Sequence, residues 1–329
     1  MIAIKAFWQT IKSELEANRK IVLAMIIEKS GSAPRGVGAH MLILADGSTI
    51  DTIGGGILEH MAVEEAKQNL ISGKSIVRAF SLNNKDAGNA GMVCGGAIKV
   101  ALYCFQPQDL PQITKAVQLF SIKDKLVVDL SWQAEHFTFQ VHDLAEAFAG
   151  KEQLVKKSLL LSEDITKQGQ YLEVMKQSPM VYIFGGGYVA QEVAKLLSNL
   201  EFEYVIVEER LAFANKDLFP GVKRIAVVDY ADFATQVDVK STDFAVVVTN
   251  GHSKDTLVLE TLLKKPPAYL GVIGSRHKKA HVENILREKG FSSEVINQMI
   301  LPIGLDIKAE TPAEIAISIV AQLIEKRAQ

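Results

Sequence analysis

The period of apolar and polar positions changes along the chain, and each change marks an element. Ile4, Phe7, Trp8, Ile11 and Leu15 recur at helical spacing among Lys5, Lys12, Glu14 and Glu16, which predicts an amphipathic helix packed by its apolar stripe. Residues 21–28 form a continuous strand-like run, followed by a Gly/Ser/Pro loop over 30–38. Stretches 41–45 and 49–53 flank Asp46-Gly47, where glycine tolerates positive φ, and predict a hairpin. Its second strand runs into Gly54-Gly55-Gly56. Beyond these, Ile57, Met61, Val63 and Leu70 sit among Glu, Lys and Gln as a half-buried helix over 57–71 requires. A strand near 75–81, a loop over 83–96 and a strand over 97–105 complete a first region.

Residues 106–178 carry less pattern. Pro107 and Pro111 interrupt it, Ile113, Ala116, Val117 and Phe120 share a helical face, and 126–130 and 137–141 predict two strands. From 179 the chain alternates regularly. Apolar runs at 180–184, 204–208, 224–228, 244–249 and 269–273 suit strands buried on both faces of a parallel sheet. Val189, Val193, Leu196, Leu197 and Leu200 make a helix face between two of them. Thr311, Pro312 and Glu314 form the start signal of a last helix carrying Ile315, Ile319, Val320 and Leu323. The expected fold class is therefore α/β: an N-terminal mixed α+β domain (1–105), a connecting subdomain (106–178) and a C-terminal Rossmann-like, doubly wound parallel-sheet domain (179–329).

Composition removes several function classes. Across 329 residues, 36 Lys+Arg against 38 Asp+Glu leave a net charge of −2, so no global field draws nucleic acid or an anionic membrane. No run approaches the ~18 apolar residues of a membrane span, and the N-terminus lacks a signal-peptide core. Two cysteines are too few for a disulfide framework or a Cys-based zinc site. A soluble, cytoplasmic protein is expected.

The candidate chemistry lies in loops. Gly185-Gly186-Gly187-Tyr188-Val189-Ala190 is a Gly-x-Gly-x-x-Ala turn between strand and helix: Gly185 permits the turn, Gly187 lets backbone approach a pyrophosphate, and the helix N-terminus attracts the anion. Glu208 ends the next strand, where an acid accepts from a ribose hydroxyl; alternatively the fold keeps the turn and binds no dinucleotide. Ligands of such sheets sit beyond the carboxyl ends of the strands. His252 follows the fourth strand as a base, metal ligand or polar contact, and Ser275 with Arg276 follows the fifth, Arg276 offering a planar fork to phosphate or carboxylate. Each alone also reads as a loop residue or cap, and Ser253 as an N-cap with Asp255 in the first turn explains part of that segment. Gly54-Gly55-Gly56 opens a helix as an anion nest without the Lys-Ser/Thr of a P-loop, which disfavours NTP hydrolysis. Glu59, in that helix's first turn, complements the dipole. Cys94, in Gly91-Met92-Val93-Cys94-Gly95-Gly96, either binds a soft metal or carries sulfur, or simply fills a tight loop. Cys104 shares a strand face with Ile98, Val100 and Leu102 and reads as a core thiol. Arg35 either converges with the glycines or is solvated.

At these residues the sequence resembles the XdhC/CoxI family, accessory proteins of xanthine dehydrogenase and other molybdenum hydroxylases. The resemblance is carried by Gly31-Ser32-Ala33-Pro34-Arg35, Thr52-Ile53-Gly54-Gly55-Gly56-Ile57-Leu58-Glu59 and Cys94-Gly95-Gly96. Later in the chain it rests on the glycine turn, Ile273-Gly274-Ser275-Arg276 with Lys278, and Pro302-Ile303-Gly304-Leu305-Asp306-Ile307 followed by Ala309-Glu310-Thr311-Pro312. It implies an accessory chaperone that binds molybdenum cofactor (molybdopterin), protects it while a cysteine desulfurase helps install the sulfido ligand, and delivers it to the apo-dehydrogenase. Cofactor-binding positions are then expected at Arg35, Gly54, Gly55, Gly56, Glu59, Cys94, Gly95, Gly96, Gly185, Gly187, Glu208, His252, Ser275 and Arg276, with Cys94 the contact to molybdenum. Two departures narrow this. Tyr188 and Asn250 stand where family members often carry His, leaving only His252, so a paired-histidine metal site is in doubt. Gly56 replaces the Cys of one branch, which favours the xanthine-dehydrogenase-like branch. The rival is an NAD-dependent oxidoreductase using Glu208 with His252 as proton donor, NAD or another adenine nucleotide then occupying the Rossmann-like domain. A sensing module without chemistry is a third reading, and a symmetric homodimer is the default assembly.

Overall fold

In chain order the first half forms α1 (Ile4–Glu16), β1 (Ile21–Ser30), β2 (His40–Ile43), β3 (Thr49–Asp51), α2 (Gly56–Ser72), β4 (Ile76–Ser81), β5 (Ala97–Phe105), α3 (Leu110–Ile122), β6 (Lys125–Gln133), β7 (His136–His142), α4 (Leu144–Ala147), β8 (Ser158–Leu161) and β9 (Gln168–Lys176). The second forms β10 (Val181–Phe184), α5 (Tyr188–Ser198), β11 (Tyr204–Glu208), β12 (Arg224–Val227), β13 (Phe244–Val247), α6 (His252–Leu262), β14 (Tyr269–Val272), α7 (Arg276–Glu288), α8 (Ser293–Ile296), β15 (Met299–Ile300) and α9 (Pro312–Arg327). This computed structural model describes residues 4–81, 96–147, 158–162, 164, 167–200 and 202–328. They fall into two units, Met1–Gln177 and Ser178–Gln329.

The first unit is antiparallel. One sheet has the order β3-β2-β1-β5-β4 and a second the order β7-β6-β9-β8. The uninterrupted apolar run of β1 follows from its place at the centre of the first sheet, covered on both faces. Val22, Ala24 and Ile26 meet Val100, Leu102, Cys104 and α2 on one side. Leu23, Met25 and Ile27 meet α1, α3 and the inner face of β6 on the other. Residues 106–177 thus supply a four-stranded sheet, two strands more than the apolar runs predict, and share a core with α1 and β1. Short, half-exposed strands such as β8 give no period to read.

Two local expectations change here. The helix α2 buries Leu58, Ala62, Ala66 and Asn69, and Met61 is turned to solvent; below Leu58 the inner face is carried by the small residues Ala62 and Ala66 at i+4 and i+8, which allow the helix to lie close on the sheet, so the larger apolar side chains do not mark that face. The hairpin's second strand stops at Asp51, whose φ of +65° breaks the extended run; Ile53 is buried without being in the strand. Cys104 is the core thiol the pattern predicts, and burial pushes its pKa up to about 11.

The second unit is a six-stranded parallel sheet in the order β12-β11-β10-β13-β14-β15. The core on one face contains side chains of α5 and α9, and that on the other face those of α6 and α7, which is the doubly wound, Rossmann-like arrangement expected. Alternate residues of β10 divide between the cores, Val181 and Ile183 to one and Phe184 to the other. The sixth strand, β15, adds to the five that the apolar runs predict, since two residues carry no period.

Candidate functional site

In the first unit three consecutive glycines, Gly54, Gly55 and Gly56, have φ of 135°, 72° and 64°, a path that side-chain-bearing residues resist. The neighbouring loop lies against this turn: a Cβ on Gly54 would stand 3.0 Å from Cβ of Pro34 and 3.6 Å from Cγ of Arg35, and one on Gly96 only 2.2 Å from the Ser32 carbonyl oxygen. The loop 30–35 therefore lies against both glycines, Gly54 at Pro34 and Arg35 and Gly96 at Ser30 and Ser32, while Cys94 and Gly95 lie outside the described residues. The nest is partly filled from within. The Gly54 amide donates to Thr52 Oγ1 (3.0 Å), the Gly55 amide to Glu59 Oε2 (3.1 Å), and Thr52 Oγ1 donates to the same Glu59 oxygen (2.5 Å). Glu59 caps the start of its own helix, a stronger bond than the dipole interaction predicted for it.

In the second unit the glycine turn follows β10 directly. Gly185 has φ of 116°, and a Cβ there would lie 2.4 Å from the Val248 carbonyl oxygen, so close packing of the turn on the end of β13 demands glycine. Gly187 caps α5 with open space beside it. Glu208 is 1 % exposed, and its carboxylate is surrounded by donors: the Gly186 amide at 2.6 Å and Arg210 Nη2 at 2.9 Å on Oε2, the Arg210 amide and Nε, each at 2.9 Å, on Oε1. The Arg210 guanidinium also lies 4.1 Å from the Phe213 ring centre. Burial raises the Glu208 pKa, but Arg210 and the two amides outweigh it and hold the carboxyl below its usual range. A ribose hydroxyl would have to displace Arg210 to reach this acid. The sequence signal for that partnership was present in Glu208-x-Arg210 at a strand end.

That depression fixes the sign of a pH effect. A carboxyl with a lowered native pKa contributes stability that is complete above its unfolded value of about 4.3 and vanishes as pH falls through the native value. Glu208→Gln is expected to lower stability at neutral pH and to flatten the acid limb that begins as pH falls below about 4.3. Denaturant titrations at several pH values test this, and acid limbs of equal slope in both proteins would contradict it.

The helix α6 begins at His252 with Gly251 as N-cap, so Ser253 is not the cap; His252 is described in its backbone alone. Asp255 is fully buried, accepting from Thr249 Oγ1 (2.6 Å) and from Lys278 Nζ (2.5 Å), which also donates to the Ile273 carbonyl (2.7 Å). Nothing in sequence joins these two residues; the sheet places their helices side by side. Ser275 caps α7, accepting from the Lys278 amide. Arg276, the first residue of that helix, borders a cavity of about 450 Å³ beyond the carboxyl ends of β14 and β15, with walls from Ile273, Ile303, Ile307 and Ile315 and with Asp306 and Lys308 paired at 2.9 Å. Among the described residues no cluster of three or more His, Cys, Asp or Glu is arranged to hold a metal ion, and no helix is long and apolar enough to cross a membrane.

Comparison with known proteins agrees with this architecture. Residues 181–323 match the XdhC Rossmann domain model, and residues 14–81 the XdhC and CoxI family model. The Escherichia coli protein YqeB, which is uncharacterized, is 26 % identical over 97 % of this chain, which spans 46 % of that protein's length. A Bacillus subtilis protein named as a probable xanthine dehydrogenase subunit is 23 % identical over 98 % of this chain and 97 % of its own. The molybdenum cofactor insertion chaperone PaoD of Escherichia coli is 24 % identical over 95 % and 85 %. The crystal structure of a Bacillus halodurans chain described as a xanthine dehydrogenase superimposes with a TM-score of 0.82 at 22 % identity, covering 99 % of this chain and 96 % of the other. That last likeness bears on the fold.

Proposed function

We propose, since this chain belongs to the XdhC and CoxI family, that it is an accessory chaperone that accepts molybdenum cofactor as cargo, holds it while a cysteine desulfurase supplies the sulfido ligand, and passes it to a xanthine-dehydrogenase-like molybdenum hydroxylase. The observation that carries this is similarity along nearly the whole chain to a protein named as a molybdenum cofactor insertion chaperone. Cytoplasmic action, a homodimer and a Cys94 contact to molybdenum belong to the same proposal. Against the NAD-dependent oxidoreductase stands the commitment of Glu208 to Gly186 and Arg210, which leaves the acid of the turn without a free acceptor for ribose.

A carrier that must release its cargo binds its client more tightly when loaded, through a coupling free energy of about 1 to 3 kcal/mol, or roughly 5- to 150-fold. Reconstituting apo-xanthine dehydrogenase with molybdenum cofactor, with and without this protein, is expected to show a several-fold higher yield of active enzyme when it is present. Equal yields would reject the chaperone reading, and turnover of NADH by this protein alone would establish the rival.

A further inference from the structure

Three of the places in the described structure that can face an anion are marked by sequence motifs, and two of them use part of their donors internally. The amides of Gly54 and Gly55 are occupied by Thr52 and Glu59, and the amide of Gly186 by Glu208, with the Phe213 carbonyl oxygen 2.3 Å from where a Cβ on Gly186 would stand. The third is the cavity beyond β14 and β15.

We propose that this cavity is the C-terminal unit's binding site for a planar ring compound bearing a phosphate monoester, with the phosphate on Arg276 and the ring between isoleucine walls, and that its occupant is the pterin of the cargo. This rests on the chaperone reading and locates the cargo's recognition within it. Its volume of about 450 Å³ falls in the range of small-molecule sites, which are mostly apolar with a few placed polar groups. Arg276 is exposed, and among the described residues its guanidinium is bonded to no protein acceptor, so its fork of donors is available to a phosphate. At the mouth the hydrogen bond and charge of Lys308, with a smaller contribution from the Arg276 charge, hold the Asp306 carboxyl below its usual range; the three groups together leave the rim with one net positive charge. Ile307, on the wall, is 48 % exposed, a large apolar side chain in water that a flat ring would cover. The floor is rigid: Gly304, at φ of 95°, has no room for a Cβ against Ser318 Oγ (2.2 Å), Ser318 Oγ donates to the Leu305 carbonyl (2.6 Å), and Gln322 accepts from the Gly304 amide (2.9 Å). A site held this way is preformed, so little ordering cost opposes binding.

The test is equilibrium dialysis of the full chain against two probes, molybdenum cofactor freshly released from a molybdenum enzyme and adenosine monophosphate. The proteins are wild type, Arg276→Ala, Arg276→Lys and Ala309→Trp, the last placing an indole on the cavity wall. Expected are tighter binding of cofactor than of the adenine nucleotide, loss of at least tenfold in cofactor affinity in Arg276→Ala, partial recovery in Arg276→Lys, and loss of binding in Ala309→Trp with an unchanged melting temperature. Should Ala309→Trp fail to fold, Arg276→Ala, altered on the surface, still decides. Cofactor bound equally by wild type and Arg276→Ala overturns the assignment of the cavity while the chaperone reading stands. Tighter binding of adenosine monophosphate, lost in Arg276→Ala, overturns the pterin as occupant. Wild type that holds no cofactor overturns both.

Discussion

Lys278→Ala is expected to destabilise the Ser178–Gln329 unit by about 3–5 kcal/mol, the loss found when one partner of a buried ion pair is removed and the other charge stays behind. Asp255 is fully buried and Lys278 nearly so, and among the described residues Thr249 is the side-chain donor to the carboxylate that remains. For a unit of this size the change corresponds to a fall of roughly 10 °C in melting temperature. The double variant Asp255→Leu with Lys278→Met is expected to recover most of the loss, because apolar replacement of both partners removes the desolvation penalty together with the attraction. Calorimetric melting of the three proteins checks this. A single variant as stable as wild type, or a double variant no better than the single, would show that the pair does not hold α6 to α7.

Trp8→Ala is expected to cost the Met1–Gln177 unit about 3–5 kcal/mol, as for other fully buried aromatic residues. Trp8 has no exposed surface and sits in the core that joins α1 and α3 to the inner faces of both antiparallel sheets, 6.0 Å from the ring centre of Phe139 and 5.9 Å from that of Phe7. Its loss leaves a hole bounded by two sheets that cannot both move inward. Trp8→Phe is expected to cost much less: it keeps most of the apolar surface and deletes an indole N–H that finds no acceptor among the described residues. Denaturant midpoints of the two variants decide the point. Equal losses would show that the indole is bonded after all and that volume is not what matters.

The same two regions show how far the sequence could be read. The stripe of α1, the two-sided run of β1 and most parallel strands of the second unit were visible because one-sided burial repeats at helical spacing and two-sided burial makes a continuous apolar run. Where burial was carried by small residues, as by Ala62 and Ala66 in α2, the pattern pointed to the wrong face. Where a strand was half-exposed along its length, as β8 is, or only two residues long, as β15 is, there was no apolar run to read. Of the candidate site residues, Arg35 lies against Gly54, Gly96 lies against the start of the same loop, and Ser275 and Arg276 stand at one helix start, whereas the partners that decide what each can still bind, Thr52 for Gly54 and Arg210 for Glu208, came from geometry. The cavity was present in sequence as two separate motifs, Ile273-Gly274-Ser275-Arg276 and Pro302-Ile303-Gly304-Leu305-Asp306-Ile307, which nothing in chain order joins.

By itself, then, the amino-acid sequence determined the α/β class, the Rossmann-like second half, the glycine turns and the family, because these depend on local periodicity, on the few residues that accept positive φ, and on motifs contiguous in the chain. The tertiary structure alone decided which of the candidate groups are already spent. Glu208 is silenced by Arg210, the nest at Gly54 is capped by Glu59, Asp255 is tied to Lys278, and Arg276 is left facing a cavity. Hydrogen-bond capacity is finite, and whether a buried group has used it depends on neighbours that chain folding, rather than chain order, brings within 3 Å.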